Sequence, residues 1–324
     1  MMGAALRELT VSQQVGLLFV LIFGALSLAT LAAFVRGLRE HPPAGHAMLE
    51  RLMRELRALW IAALLFWIAW AAGTVVATLL FALVSFLALR EFITLTHTRR
   101  GDHRALLAAF FVVLPLQYVL VATRLFDLFT VFIPVYAFAV LPILAALGND
   151  PTRFLERTAK IQWGITVCVY GMSHAPALLL LDFRDYEGRG AFLVLVLVLI
   201  VACAQIVQQG ASRRLRRRPV VRAISRTFSW RAWLVGAGAA GGVALALWWA
   251  TPFAPLQAFA IGFITGACAT LGELVMAALK RDAGVRHFGG RATVTGAVGL
   301  LDRVAPLAFA APVFFHSLRW YFGA

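Results

Sequence analysis

Apolar runs of about 17 to 25 residues recur along the whole chain, and a helix needs this length to cross a hydrocarbon core. Only helices and closed barrels satisfy every backbone hydrogen bond inside a bilayer. Barrel strands would alternate polar and apolar residues, whereas the run 191–207 does not alternate. The sequence therefore predicts an all-α fold, a polytopic bundle of transmembrane helices.

The composition agrees with this prediction, since 61% of the residues are hydrophobic, 14% are charged and the mean hydropathy is +0.84. The three cysteines, Cys168, Cys203 and Cys268, lie inside apolar runs without metal-ligand spacing, so we expect them to pack. The net charge of +15 would also suit nucleic acid. However, basic residues in alternate loops are what membrane orientation alone requires, so we expect no nucleic-acid partner.

Alternate predicted loops hold most of the arginines, which places those loops in the cytoplasm and both termini outside. This pattern requires a break at Gly73, because a single span over 57–90 would put the first basic loop on the opposite side. We expect one membrane domain over 1–324, with spans 15–147 as scaffold and 161–324 carrying the site. The ten predicted spans are 15–35, 57–72, 74–90, 105–122, 127–147, 161–180, 190–208, 232–250, 254–279 and 304–322.

One carboxylate, Glu273, falls inside a predicted span, and the others fall in loops or at span ends. An ionisable group within a span usually faces an interior cavity and marks a site. Lys280 lies two helical turns further on the same face, about 10 Å along the axis, and Lys160 is the only other lysine. Each residue also has a structural alternative. Glu273 could lie at the water interface or form a structural hydrogen bond, and Lys280 could snorkel at a helix end.

Other polar and glycine-rich features have structural interpretations. His174 and Gln205, within spans, are expected to form interhelical hydrogen bonds. The glycines of 236–242 match a dinucleotide-binding fingerprint by letter, but no strand precedes them and an apolar span follows. They are expected to let helices approach closely.

The chain from Gly272 onward resembles the C-terminal signature of phosphatidate cytidylyltransferases, also called CDP-diacylglycerol synthases. The order and approximate spacing of four segments carry the resemblance. These segments are Gly272-Glu273-Leu274, Lys280-Arg281-Asp282-Ala283-Gly284-Val285, Leu301-Asp302-Arg303-Val304 and Ala311-Pro312-Val313-Phe314.

The resemblance implies roles for five residues. Glu273 stands where the family usually has a metal-binding aspartate, and Asp302 matches the second metal-binding aspartate. Lys280 and Arg281 match a Lys-Arg pair, and Arg303 follows Asp302. The implied catalytic residues are Lys280, Arg281, Asp302 and Arg303; the implied ligands of Mg²⁺ are Glu273 and Asp302, and a second cation is left open.

Other family segments are altered, and their residues are secondary candidates for substrate binding. A Lys-Asp-x-Gly segment reads Arg286-His287-Phe288-Gly289, and a Ser-Pro-x-Lys-Thr segment reads Ser225-Arg226-Thr227-Phe228-Ser229. The final aspartate of Leu-Asp-Arg-x-Asp is Ala305, and an upstream aspartate aligns with Gln205. The candidates for substrate binding are Arg286, His287, Ser225, Arg226 and Gln205.

The resemblance implies a multi-pass enzyme of the cytoplasmic (inner) membrane. On the cytoplasmic face it would transfer a cytidylyl group from CTP to phosphatidate or a related anionic phospholipid. The products would be CDP-diacylglycerol and pyrophosphate, in phospholipid synthesis. The altered segments leave open a catalytically inactive relative that binds lipid or a partner enzyme. An ion-coupled transporter using Glu273 is a further alternative, and the sequence leaves open whether the chain forms a homodimer.

Overall fold

The computed structural model describes residues 11–37, 53, 56, 60, 64, 67, 71–96, 98–183, 186, 188–215, 220–225, 228–284 and 299–323. Within these residues the chain is helical and has no strand, which confirms the predicted all-α class. The helices with described bounds are α1 Val11–Gly37, α2 Thr74–Thr94, α3 Arg100–Ala122, α4 Phe126–Ala146, α5 Phe154–Leu180, α6 Gly190–Leu215, α7 Trp230–Ala246, α8 Pro255–Asp282 and α9 Leu300–Phe322.

Six of these helices, α2 to α6 and α8, are long and apolar enough to cross a membrane. A polytopic helical bundle is therefore confirmed, while the count of ten spans and the side of the termini stay predictions. Most of the predicted span 57–72 lies outside the described residues. The predicted break at Gly73 is confirmed, because that residue has φ +91° and α2 begins directly after it.

Several helices extend beyond their predicted spans. The helix α2 continues to Thr94, α5 begins at Phe154, and α6 continues to Leu215. The predicted spans covered only the hydrocarbon core, about 30 Å thick, whereas a helix can continue through the interfacial region. Charged residues that were predicted to lie in loops therefore lie on helix ends.

Three of the helices contain a π-helical segment. A proline lies inside or shortly after each one, namely Pro115, Pro134 and Pro176. A proline has no N–H to donate, so the local hydrogen-bond ladder is disrupted around it. The three segments are Ala109–Val113 in α3, Phe132–Ala137 in α4 and Thr166–Gly171 in α5.

The chain divides into two compact units, Met1–Ala77 and Thr78–Ala324. In the first unit, Trp60 donates from Nε1 to the Thr30 hydroxyl at 3.0 Å, and its ring lies 5.5 Å from that of Phe23. In the second unit, buried side chains of α2, α3, α4, α5, α8 and α9 form one apolar core. This core places the end of α2, with Leu89 and Phe92, beside Leu301 and Ala305 of α9.

A buried ion pair links the start of α3 to the start of α5. Arg157 donates from Nε to Asp102 at 3.0 Å, and the two side chains are 5% and 1% exposed. A second nitrogen of Arg157 donates to Asp150 at 3.0 Å. The backbone N–H and hydroxyl of Thr152, and then Arg157 and Arg99, hold the pKa of Asp150 below its usual value.

The helices α6, α7 and α8 pack on one another through small residues. A Cβ at Gly236 would lie 2.8 Å from the Ala204 carbonyl oxygen, and one at Gly241 would lie 2.9 Å from the Phe259 ring. The predicted close approach is confirmed at these two glycines. It is wrong for Gly238 and Gly242, where an added Cβ would meet nothing within 4 Å.

Candidate functional site

The helices α8 and α9 pack against each other and carry the three main candidate residues, Glu273, Lys280 and Asp302. The glycine before Glu273 allows this close packing, because a Cβ at Gly272 would overlap the Phe309 ring of α9. Gly272 therefore has a steric role in bringing Glu273 up to α9. This explains physically why a glycine precedes the carboxylate in the segment Gly272-Glu273-Leu274.

Lys280 and Asp302 form an ion pair across the ends of the two helices. The Lys280 ammonium donates to Asp302 Oδ1 at 2.7 Å. The side chains are 20% and 26% exposed, so the pair is partly buried against the two helices.

Glu273 belongs to the same group of charges. Its side chain accepts a hydrogen bond from Gln205 Nε2 of α6 at 3.4 Å, and Gln209 also interacts with it. Both Lys280 and Asp302 interact electrostatically with this carboxylate. The structure thus brings together Glu273, Lys280, Asp302 and Gln205, and the interhelical bond predicted for Gln205 is confirmed.

This cluster has the donor chemistry for magnesium but is not a complete metal cage. Among the described residues, no group of three or more His, Cys, Asp or Glu side chains is placed to hold a metal ion. Mg²⁺ commonly uses only one or two protein carboxylates and takes its other ligands from water and substrate phosphates. Glu273 and Asp302 are carboxylates of the type that Mg²⁺ uses in this way, and a magnesium site here stays a prediction.

The remaining candidate residues differ in what the structure describes. Arg281 and Arg303 are exposed on the same helices as Lys280 and Asp302. Ser225 accepts the backbone N–H of Phe228 at 3.2 Å, in the loop before α7. The other three candidates, Arg226, Arg286 and His287, lie outside the described residues.

The sequence prediction missed Glu91. We expected it at the start of the loop 91–104, and this expectation is wrong. Glu91 lies in the last turn of α2, is 4% exposed and accepts the backbone N–H of Leu300 at 3.1 Å. The apolar residues Phe92 and Ile93 directly after it were the available sequence signal that the helix continues.

The structure corrects the expectation for His174 and gives a physical reason for the alanine at position 305. The expected interhelical bond of His174 is wrong, because its Nδ1 bonds the Tyr170 carbonyl within α5 at 2.7 Å. Ala305, where the resembling family has an aspartate, is 1% exposed and belongs to the apolar core. A carboxylate at that position would have to be buried among apolar side chains, which is costly.

Comparison with known proteins identifies one matching family. A model of the cytidylyltransferase family matches residues 52–321, a range that contains the whole cluster. Uncharacterized protein YnbB of Escherichia coli (strain K12) is 36% identical over 251 residues, which cover 74% of this chain and 78% of YnbB.

Proposed function

Because the chain belongs to the cytidylyltransferase family, we propose that it transfers a cytidylyl group from CTP to phosphatidate or a related anionic phospholipid. The products are CDP-diacylglycerol, or the corresponding lipid, and pyrophosphate. The observation that carries this proposal is the ion pair of Lys280 with Asp302, next to Glu273, inside the region that the family model matches.

The position of the cluster supports a lipid acceptor. Glu273 lies within α8, a helix long and apolar enough to cross a membrane, and Lys280 lies in the last turn of that helix. Charged residues at such a helix end lie near the membrane interface, where lipid phosphates are found. A water-soluble nucleotide and a membrane-held phosphate can therefore both reach this group of residues.

In the proposed reaction, a phosphate oxygen of the lipid attacks the α-phosphorus of CTP. A new P–O bond forms to the lipid, the bond from the α-phosphorus to the bridging oxygen breaks, and pyrophosphate leaves with that electron pair. Lys280 supplies positive charge next to the negative charge that develops on the phosphoryl oxygens. Asp302 holds the Lys280 ammonium, and Gln205 orients Glu273.

Both substrates are anions, so their mutual repulsion must be reduced before they react. We expect Glu273 and Asp302 to hold Mg²⁺ when nucleotide is present. When bound, the ion would neutralise phosphate charge and make the α-phosphorus more electrophilic. A second cation, a homodimer, the inner membrane as location and the cytoplasmic face as the side of the site stay predictions.

The experiment that tests this proposal uses the full chain in lipid nanodiscs with Mg²⁺ and CTP labelled at the α-phosphorus. Phosphatidate is the acceptor, and diacylglycerol, which lacks the attacking phosphate, is the matched control. We expect label in the lipid fraction and one pyrophosphate per labelled lipid only with phosphatidate. No label in the lipid fraction, together with retained phosphatidate binding, would instead support an inactive lipid-binding relative, whereas proton or sodium flux in liposomes would support a transporter.

A further inference from the structure

Glu91 connects the end of one helix to the start of another that is distant in the sequence. Its Oε2 accepts the N–H of Leu300, the first residue of α9, and the backbone of Gly299 and Leu301 also interacts with this carboxylate. Within the described part of the chain, Oε1 is buried and has no hydrogen-bond partner. Glu91 is 4% exposed at the helix start that carries Asp302.

The N-cap residue of α9 gives this helix no side-chain cap. Its N-cap residue is Gly299, with φ +75°, which has no side chain that could accept an N–H of the first turn. The first N–H groups of a helix need such acceptors, and a negative charge is favourable there because of the helix dipole. Glu91 supplies such an acceptor from α2.

This cap lies within one helical turn of the candidate site. Asp302 is in the first turn of α9, two residues after Leu300, and it interacts electrostatically with Glu91. The core on both sides is tightly packed, because Leu89 and Leu301 are fully buried. A shift of the first turn of α9 would therefore move Asp302 relative to Lys280.

We propose that Glu91 is a positioning residue, which fixes the first turn of α9 through Leu300 and so holds Asp302 at bonding distance from Lys280. This inference rests on the proposed function for its effect on catalysis. The positional part depends only on the contact between Glu91 and Leu300. Outer residues that orient a site typically change activity by about 10- to 100-fold when they are replaced.

The test compares Glu91→Leu, Glu91→Gln and wild type as full chains in nanodiscs. Glutamine keeps a carbonyl oxygen that can accept the Leu300 N–H, whereas leucine removes the acceptor at similar volume. Ser85→Ala is the matched control, because Ser85 is fully buried on the same helix and bonds Tyr118 Oη at 2.5 Å. Two quantities are measured: amide hydrogen exchange over residues 299–304, and kcat and KM for CTP.

We expect Glu91→Leu to increase exchange in the first turn of α9 and to lower kcat by about 10- to 100-fold, with KM for CTP changed by less than about twofold. We expect Glu91→Gln to restore both, and Ser85→Ala to change neither. Unchanged exchange in Glu91→Leu, or an equal loss in Glu91→Gln, would overturn the proposal. If wild type releases no pyrophosphate, the proposed function fails, and the exchange data still decide the role of Glu91.

Discussion

Lys280 Nζ donates to Asp302 Oδ1 at 2.7 Å, which joins the last turn of α8 to the first turn of α9. Each charge also suits its own helix end, because a cation is favourable at a C-terminus and an anion at an N-terminus. The two helix ends therefore favour charges of opposite sign, and the structure places these charges in contact. This pair is the basis of the predictions for activity.

Replacing Lys280 by alanine is expected to lower kcat for pyrophosphate release by about 100- to 1,000-fold, because positive charge next to the developing phosphoryl charge is lost. The matched control is Lys160→Ala, since Lys160 pairs with Glu156 on the surface of α5. We expect the control to stay within about twofold of wild type. Equal losses in both variants would show that Lys280 has no special role.

Gly272 is expected to tolerate no side chain. Gly272→Ala would force Phe309 away, and overpacking of this kind costs about 1 to 3 kcal/mol of folding free energy. We expect a lower midpoint of thermal unfolding in detergent and reduced turnover, because Glu273 follows directly. Gly238→Ala is the control, because an added Cβ there meets nothing within 4 Å. A Gly272→Ala protein as stable and active as the control would contradict this packing account.

The sequence was informative where the spacing along one helix decides the geometry. Glu273 and Lys280 lie two turns apart on α8, so helical spacing predicts that they share one face. In the structure the two charges interact electrostatically with each other. The segment containing Asp302 was identified through its resemblance to a family signature. These features depend on residues that are close in the chain or on a motif.

Pairings between distant helices were not predictable in this way. Glu91 contacts Leu300 across 209 positions, and the adjacent charges of Arg90 and Glu91 marked the end of the predicted span at residue 90. Of the glycines in 236–242, only the packing partners distinguish Gly236, which lies against Ala204, from Gly238, which lies against nothing. Tertiary packing decides both cases, and a single sequence does not contain it.

Arg157 is expected to be a major stability determinant. Arg157→Met leaves Asp102 buried without its cation, and breaking a buried pair from one side costs about 3 to 5 kcal/mol. Thermal unfolding in detergent should show a clear decrease in the midpoint. Arg99→Ala is the control, because its side chain is 54% exposed and lies 3.5 Å from Asp150, so we expect less than about 1 kcal/mol. Equal midpoints for the two variants would refute the structural role of the buried pair.

The central claim is that the chain performs cytidylyl transfer at the carboxylates Glu273 and Asp302. The most direct measurement is pyrophosphate release from CTP, Mg²⁺ and phosphatidate by wild type, Glu273→Gln and Asp302→Asn, with the exposed Glu156→Gln as control. We predict turnover by wild type and by the control, and a loss of about 100-fold or more in the two site variants. Pyrophosphate release at the wild-type rate in both site variants, or none from wild type, would contradict the claim.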